Sequence, residues 1–290
     1  IINAGSSTLK LSLFHDEETL ASGQIDWSAD PNHAMLVIRR PDSETVQIPL
    51  PQLQTDRHLE QAIRCFIESE SPAQEITAVG HRVVHGGELL RESALITSDV
   101  QGMIEKYVAL APLHNPPALK GIDTAKILLP GQPQVGVFDT AFYAHLPPEA
   151  YIYPVPYTWY TDFGIRRFGF HGISHAYCAH RIAELMDRPL TALRLVICHL
   201  GNGCSATAVQ DGHAVATTMG FTPMEGMMMG SRSGSVDPGL LLYMLKQEGW
   251  STDKLDEVLN HGAGFLGLSG VSSDFRQVEV AAQSGNQRAQ

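Results

Sequence analysis

Apolar and polar positions along the chain follow two periods, and together they predict a mixed α/β fold. Near the start, Leu9, Leu11 and Leu13 alternate with polar residues, which is the period of a half-buried β-strand. This segment follows Ile1-Ile2 across a Gly-Ser-Ser turn. The opening residues therefore predict a strand, a polar turn and a second strand.

The same pattern returns near residue 200. An apolar run over residues 195–198 precedes Gly201-Asn202-Gly203, and short strands are predicted over 206–209 and 214–217. Each glycine-bearing turn leads into a strand and not into a helix, so neither the Rossmann nor the P-loop fingerprint applies. Two such hairpins, one near the start of each half, indicate a duplicated domain.

Helical periodicity fills the segments between and after the hairpins, over residues 57–69, 100–110, 117–129, 174–187, 238–247 and 253–260. A chain of 290 residues exceeds the usual size of one domain, which favours two domains around a cleft. Four prolines set among Tyr151, Tyr153 and Tyr157 make residues 144–160 the best candidate for a connection between domains. We therefore predict domains over 1–143 and 144–290.

Charge and cysteine content exclude several classes of protein. The net charge of -11 argues against a nucleic-acid or anionic-membrane surface, which needs clustered Lys and Arg. The four cysteines show no CxxC spacing, which fits packing residues with free thiols in a reducing cytoplasm. No apolar run approaches the roughly 20 residues that span a bilayer. Because the chain opens without Met and stops at Gln290 within a helical pattern, we expect a fragment.

The two glycine-bearing turns are the first candidates for chemistry. The segment Asn3-Ala4-Gly5-Ser6-Ser7-Thr8, with Lys10 beyond it, offers hydroxyls, backbone N–H groups and one cation that could cradle a phosphate. The segment from His199 to Ser205 has the same character. Either turn alone is more often only a turn, but their recurrence in both halves favours a binding role.

Three further segments place cations between glycines. Arg82 lies among His81, His85 and several glycines, and pairing with Glu88 is the alternative explanation. His171 follows two arginines and precedes a helix for which Ser174 is a plausible N-cap. Arg232 lies between Gly230 and Gly234 in a serine-rich loop that is too small and flexible to build a core. A bound ligand is the better account of that loop.

Two loops complete the candidate set. His114 lies on a proline-stiffened loop that leads into a helix, which by itself is a weak signal. Asp139 ends an apolar strand over residues 135–138, a typical position for a catalytic carboxylate in α/β folds, and a helix N-cap is the alternative.

These segments, taken together and in order, resemble the acetate kinase family of the sugar kinase, Hsp70 and actin superfamily. The resemblance implies two ribonuclease H-like (actin-like ATPase) domains around a central cleft. It implies a phosphotransferase with a carboxyl acceptor, which moves a phosphoryl group reversibly from ATP to acetate and gives acetyl phosphate and ADP. It also implies Mg²⁺, or Mn²⁺ in its place, a homodimer, and a cytoplasmic protein that binds neither nucleic acid nor membrane.

The resemblance also implies roles for individual residues. Asp139, His171 and Arg232 are expected to be catalytic, and Asn3 to hold the metal. Arg82 and His114 are expected to bind substrate beside a small apolar pocket for the methyl group of acetate. The pocket residues are Val84, Leu113, Phe170 and Pro223. The nucleotide is expected to contact Ser6, Thr8, Lys10, His199, Leu200, Gly201, Asn202, Gly203, Asp274, Phe275 and Arg276.

Two departures from the family pattern limit these expectations. Ile173 stands where family members usually have Thr, which removes a hydroxyl near the site. The later adenine loop, an acidic metal ligand and the returning carboxy-terminal helix are expected beyond Gln290, so the chain as given is expected to bind ATP poorly or to be inactive. A propionate or butyrate kinase of the same superfamily and a non-catalytic ATP-binding module remain as alternatives.

Overall fold

The computed structural model of the protein describes residues 1–5, 8–26, 34–50, 55–70 and 76–290. These residues form two compact units, Ile1–Ala141 and Phe142–Gln290. Each unit has its own sheet and its own helices, and each is described by itself.

The first unit is built on an eight-stranded mixed sheet with the strand order β5-β4-β3-β2-β1-β6-β8-β7. Strands β1 to β5 form an antiparallel meander, β6 pairs in parallel with both β1 and β8, and β7 closes the edge. The strands are β1 (Ile2–Ala4), β2 (Thr8–His15), β3 (Glu18–Asp26), β4 (Met35–Arg39), β5 (Val46–Pro49), β6 (Val79–Val83), β7 (Ala94–Leu95) and β8 (Gln134–Phe138). The α-helices are α1 (Thr55–Glu70), α2 (Ser98–Lys106) and α3 (Asn115–Leu128).

Alternation along the strands decides which side chains enter the core of this unit. In β2, Leu9 and Leu11 are buried while Lys10 is exposed. In β6, His81 is buried between two buried valines, so Arg82 lies on the opposite face. Asn3, Lys10 and Arg82 therefore lie on the face away from the buried neighbours of each strand.

The second unit has a three-stranded antiparallel sheet with the order β11-β10-β9, surrounded by helices. The strands are β9 (Arg194–Leu200), β10 (Cys204–Gln210) and β11 (His213–Thr217). The helices are α4 (Pro148–Tyr151), α5 (Thr158–Phe163), α6 (Gly172–Leu185), α7 (Pro238–Lys246), α8 (Thr252–His261), α9 (Gly264–Ser269) and α10 (Phe275–Gln283).

Both predicted hairpins and the α/β class are confirmed, and each predicted helix is present within a few residues of its expected bounds. The proline-rich segment 144–160 carries α4 and α5, both inside the second unit. The bounds predicted for the two domains, 1–143 and 144–290, stay a prediction. The interpretation of all four cysteines as packing residues is wrong, because Cys178 and Cys198 are exposed. No helix within the described ranges is long and apolar enough to cross a membrane.

Candidate functional site

In the first unit, three predicted site residues meet because their strands are neighbours. Asn3 lies on β1, Arg82 on β6 and Asp139 directly after β8, and β6 pairs in parallel with the other two strands. The Arg82 guanidinium donates to both carboxylate oxygens of Asp139, at 2.6 and 3.2 Å, and to Asn3 Oδ1 at 3.3 Å. Parallel strands thus bring together residues that lie far apart in sequence.

This geometry decides two alternatives that the sequence leaves open. Arg82 forms its ion pair with Asp139, not with Glu88. Asp139 is followed by a turn and does not cap an α-helix. Its backbone N–H donates to the Val83 carbonyl at 3.0 Å, which continues the β6 to β8 ladder for one more residue.

Arg82 and Asp139 form a bidentate ion pair in which each side chain balances the charge of the other. Asp139 is only 1% exposed, and both of its oxygens accept from the guanidinium. Burial by itself lowers the pKa of Arg82, but the charge of Asp139 and its hydrogen bonds outweigh burial, so the pKa is raised above its usual value. Arg82 therefore stays charged while Asp139 balances that charge.

The donors in this unit suit Mg²⁺ only in part. Asn3 and Asp139 offer oxygen atoms, which Mg²⁺ prefers, and Mg²⁺ usually takes one or two protein ligands together with water and substrate phosphates. Within the described ranges, no group of three or more His, Cys, Asp or Glu residues could hold a metal. The donor set thus fits an ion that arrives with a nucleotide better than an ion caged by protein.

Of the nucleotide-contact residues predicted in this unit, Lys10 lies next to Asn3. Lys10 is exposed and pairs directly with Asn3 across the β1–β2 hairpin, so the two side chains share a face. The Gly5 N–H donates to the Thr8 carbonyl at 2.8 Å and closes the turn. Ser6 lies outside the described residues.

The remaining predictions in this unit concern substrate. Val84 is buried and Leu113 is exposed. His114 immediately precedes α3. No role was predicted for the side-chain amide of Asn115. It accepts from the His85 N–H at 3.1 Å and donates to the His85 carbonyl at 3.0 Å. This reciprocal pair fixes the backbone just after Arg82 against the start of α3.

In the second unit, His171 has a left-handed backbone, with φ of 59°, and immediately precedes α6. Such a conformation is uncommon for a residue with a side chain and occurs where the surrounding structure imposes it. The prediction of Ser174 as the helix N-cap is wrong, because α6 begins at Gly172. Ser174 lies within the first turn, where its hydroxyl is 3.0 Å from His199 Nδ1.

The second glycine-bearing turn lies against His171. The rings of His171 and His199 stack with centroids 4.0 Å apart. Asn202 packs against Gly230, whose N–H donates to the Asn202 carbonyl at 2.9 Å. A Cβ atom at Gly230 would lie 2.0 Å from Asn202 Oδ1, so only glycine allows this approach.

Arg232 reaches the same place from the loop beyond Gly230. Its Nη1 donates to the Pro223 carbonyl at 3.0 Å. A Cβ atom at Gly203 would lie 3.4 Å from His171 Nε2 and 3.6 Å from Arg232 Nη1, so the two side chains converge on this glycine. Within the described part of the chain, Arg232 has no ion pair with Asp or Glu, and burial lowers its pKa.

A half-buried network that the sequence did not reveal supports the Pro223 loop. Arg167 forms an ion pair with Glu225 at 2.7 Å and donates to the Thr218 carbonyl at 3.1 Å. Tyr153 donates to Glu225, and its hydroxyl accepts from the Phe221 N–H at 2.8 Å. Burial and the hydrogen bond to Glu225 raise the pKa of Tyr153. These contacts hold both ends of the segment that presents the Pro223 carbonyl to Arg232.

The other predicted residues of this unit are less closely grouped. Phe170 is 1% exposed and belongs to the interior of the unit, whereas Leu200 is exposed. Asp274 caps α10 and pairs with Arg276 at 2.6 Å. Phe275 and Arg276 are exposed. No contact between this exposed end and His171 or Arg232 is seen among the described residues.

Comparison with known proteins identifies the family of this chain. The profile of the Acetokinase family matches residues 1–290. Acetate kinases of Cyanothece sp. and Synechococcus sp. are 46% and 49% identical over the whole chain, which spans 74% of each.

Solved structures give the same result. An acetate kinase from Porphyromonas gingivalis superimposes with a TM-score of 0.88 at 39% identity, over 99% of this chain and 73% of that one. A propionate kinase from Francisella tularensis gives a TM-score of 0.92 at 35% identity, over 99% of this chain and 74% of that one. The chain therefore belongs to the acetokinase family.

Proposed function

We propose that the protein transfers a phosphoryl group reversibly between ATP and acetate. The observation that carries this proposal is the convergence of His171 Nε2 and Arg232 Nη1 on Gly203. A half-buried cation that no described carboxylate balances, beside a glycine that admits close approach, is suited to an anionic group.

The two arginines differ in a way that suits phosphoryl transfer. Arg82 is balanced by Asp139, whereas Arg232 carries a charge that no described carboxylate balances. The transition state of phosphoryl transfer spreads negative charge over the equatorial oxygens, and catalysis is mostly positioning and electrostatic stabilisation. Arg232 supplies the unbalanced charge, and Arg82 supplies a guanidinium held in one fixed orientation.

Asp139 acts through Arg82 in this proposal. Acetate has a pKa far below 7 and is already deprotonated at neutral pH, so no general base is needed to activate it. Both carboxylate oxygens of Asp139 hold the guanidinium in a bidentate pair. The proposed role of Asp139 is therefore to orient Arg82 and to bind a hydrated metal ion that enters with the nucleotide.

Mg²⁺ would be held by Asn3 and Asp139 together with phosphate oxygens. When bound, the ion neutralises charge on the β and γ phosphates. Lys10, which shares a face with Asn3, places a second positive charge near the same phosphates. Nucleotide contacts at residues 199–203 and 274–276 belong to this proposal as well.

The acid substrate is assigned to acetate because the relatives at 46% and 49% identity are named acetate kinases. The pocket proposed for its methyl group is formed by Val84, Leu113, Phe170 and Pro223. One methylene in such a pocket changes binding by only about 1–3 kcal/mol. Propionate is therefore expected to be a poorer substrate that is still used.

A hydroxamate assay of the complete protein with ATP, Mg²⁺ and acetate, propionate or butyrate tests the function. We expect trapped acyl phosphate with acetate preferred. Arg232→Gln, which keeps hydrogen-bond donors but removes the charge, should reduce turnover by orders of magnitude. Arg181→Gln is the matched control, because Arg181 is exposed and pairs with Glu184 on α6. No product from any acid with the wild-type protein would refute the proposal.

We also propose a cytoplasmic homodimer. The dimer is proposed from the family. The cytoplasmic location is proposed from the family and from the cysteines, which are free in the structure. Light scattering of the complete protein should give twice the mass of one chain, and a monomer mass would refute the dimer. Cell fractionation should place the protein with cytoplasmic markers.

A further inference from the structure

A buried serine connects two histidines next to the convergence point on Gly203. Ser205, on β10, is 0% exposed, and its Oγ lies 2.8 Å from His171 Nδ1 and 2.8 Å from His175 Nε2. His175 is also 0% exposed and follows His171 by one turn of α6. Neither Ser205 nor His175 is among the site residues that the sequence predicts.

The hydroxyl of Ser205 has one proton for two imidazole nitrogens. It can donate to only one of them, and it accepts from any partner nitrogen that carries a proton. If the Ser205 proton goes to His171 Nδ1, then His175 Nε2 must carry a proton and donate to Ser205. If it goes to His175, then His171 Nδ1 must carry the proton. The tautomers of the two histidines are therefore coupled through this hydroxyl.

Only one of these two directions of the Ser205 hydrogen bond allows a neutral His171 to carry a proton on Nε2, at the other side of its ring. Its Nε2 faces the point above Gly203 that Arg232 Nη1 also approaches. An anionic oxygen at that point needs a proton on Nε2, since donors stabilise developing charge and an unprotonated nitrogen repels it. A neutral His171 can offer that proton only if its Nδ1 is an acceptor, which requires the proton of Ser205.

We propose that His175 and Ser205 are positioning residues that hold His171 as the neutral tautomer protonated at Nε2. The chain of donors runs from His175 Nε2–H to Ser205 Oγ–H to His171 Nδ1. This inference deepens the proposed function and rests on it for the identity of the anion. The assignment of tautomers stands on the geometry of the second unit alone.

The neighbouring Arg232 agrees with a neutral His171. His199 stacks on its ring at 4.0 Å, and the Arg232 guanidinium approaches the same point as Nε2. A neighbouring cation disfavours a second positive charge. Tyr143 lies edge-on to His175 with ring centroids 6.5 Å apart.

Nitrogen-15 NMR of the histidine side chains in the complete protein, without substrate, tests the assignment directly. His171→Asn and His175→Asn variants identify the two rings by the loss of their signals. In the wild-type protein at pH 8 we expect both rings to be protonated at Nε2 and unprotonated at Nδ1. A His171 ring protonated at Nδ1 would overturn the proposal.

Substitution of the hydroxyl tests the coupling. In Ser205→Ala, His171 loses the donor to its Nδ1, so we expect a mixture of tautomers and a fall in kcat of about 10- to 100-fold. Thr207→Val is the matched control. It removes another buried hydroxyl from β10, one that bonds to Tyr143 and Thr217 and to no histidine. A pure Nε2-protonated His171 in Ser205→Ala would refute the coupling.

Rescue distinguishes a positioning role from a merely structural one. His175→Gln keeps an N–H donor near the position of Nε2, whereas His175→Leu removes it at similar volume. We expect His175→Gln to keep kcat within about 10-fold of wild type and His175→Leu to lose about 100-fold. Equal kcat values in these two variants would refute the role of His175. If the wild-type protein turned over no acid, the proposed function would fail while the NMR result still decided the tautomers.

Discussion

Substitution of Gly203 by alanine separates binding of the transferred group from folding. Gly203 does not have a positive φ, and a Cβ atom there would lie no closer than 3.4 Å to its nearest neighbours outside the adjoining residues. That distance is an ordinary van der Waals contact. A Gly→Ala change at a compatible site stabilises a protein by about 0.4–1 kcal/mol, since it restricts the unfolded chain. We therefore expect an unchanged or slightly higher Tm.

The effect on catalysis should be the opposite. An anionic oxygen must lie about 2.7–3.1 Å from each donor to be stabilised. A methyl carbon 3.4 Å from His171 Nε2 and 3.6 Å from Arg232 Nη1 fills the space between those donors. Loss of a single donor of this kind costs about 10²–10³ in kcat. We expect Gly203→Ala to lose at least about 10²-fold in kcat, or about 2.7 kcal/mol of transition-state stabilisation.

The assay pairs hydroxamate kinetics with thermal denaturation of the complete protein. Gly102→Ala is the matched control, because Gly102 lies inside α2 and a Cβ atom there would meet nothing within 4 Å. This control should gain up to about 1 kcal/mol of stability and keep full activity. Normal turnover in Gly203→Ala would refute the convergence of His171 and Arg232 as the binding point. A large fall in Tm would refute the steric argument.

Three further substitutions follow from burial and charge. Arg82→Ala leaves the buried Asp139 without its cation and should lower the free energy of unfolding by about 3 kcal/mol. This value is near the low end for breaking a buried ion pair, because the Arg82 side chain is 33% exposed. An unchanged Tm would contradict this prediction. Arg232→Met removes a half-buried charge that no described carboxylate balances, so Tm should stay or rise while turnover falls by orders of magnitude, and a lower Tm would count against it. Burial lowers the pKa of His81 to about 4, so stability present above pH 6.5 is lost as pH falls toward 4, by up to roughly 3 kcal/mol. Urea titrations at several pH values should show this loss in the wild-type protein and less of it in His81→Leu.

The sequence was most informative where local patterns decide structure. Alternation of apolar residues located both glycine-bearing hairpins, and helical periodicity located the helices, as the strands and helices confirm. The recognition of the family is confirmed as well. The roles assigned to individual site residues stay predictions, although the structure does bring Asn3, Arg82 and Asp139 together, and also His171, His199 and Arg232.

Long-range pairing was the part that the sequence did not reveal. Arg82 and Asp139 are 57 residues apart, and they meet only because β6 and β8 pair in parallel. Glu88 looked like a partner because it is close in sequence. Likewise, a hydroxyl residue near a helix start usually caps it, but Ser174 faces His199 because the left-handed backbone of His171 starts the helix earlier.

Ser205 lies at the end of the candidate segment 199–205, but the sequence indicated no individual role for it. A small residue in an alternating strand looks like any other interior position, and its hydroxyl acquires meaning only from the two rings that approach it. One of those rings is on the helix that begins just after His171, and Ser205 itself pairs with His199 across the hairpin. The helix start and the hairpin register therefore together set the orientation of His171.

Anion binding by a chain with net charge -11 must depend on local arrangement and not on overall charge. In the first unit, Asp139 balances Arg82, so this pair adds direction but little net charge. In the second unit, Arg232 is half-buried and no described carboxylate balances it, and His171 can add a hydrogen bond without adding charge. An anion held there gains from one cation in a poorly solvated place, where electrostatic interactions are strongest. A second charge on His171 would strengthen binding of the ground state as well as the transition state, and uniform binding of that kind does not raise kcat. A neutral, oriented histidine beside a single unbalanced arginine is therefore the arrangement that favours turnover over tight binding.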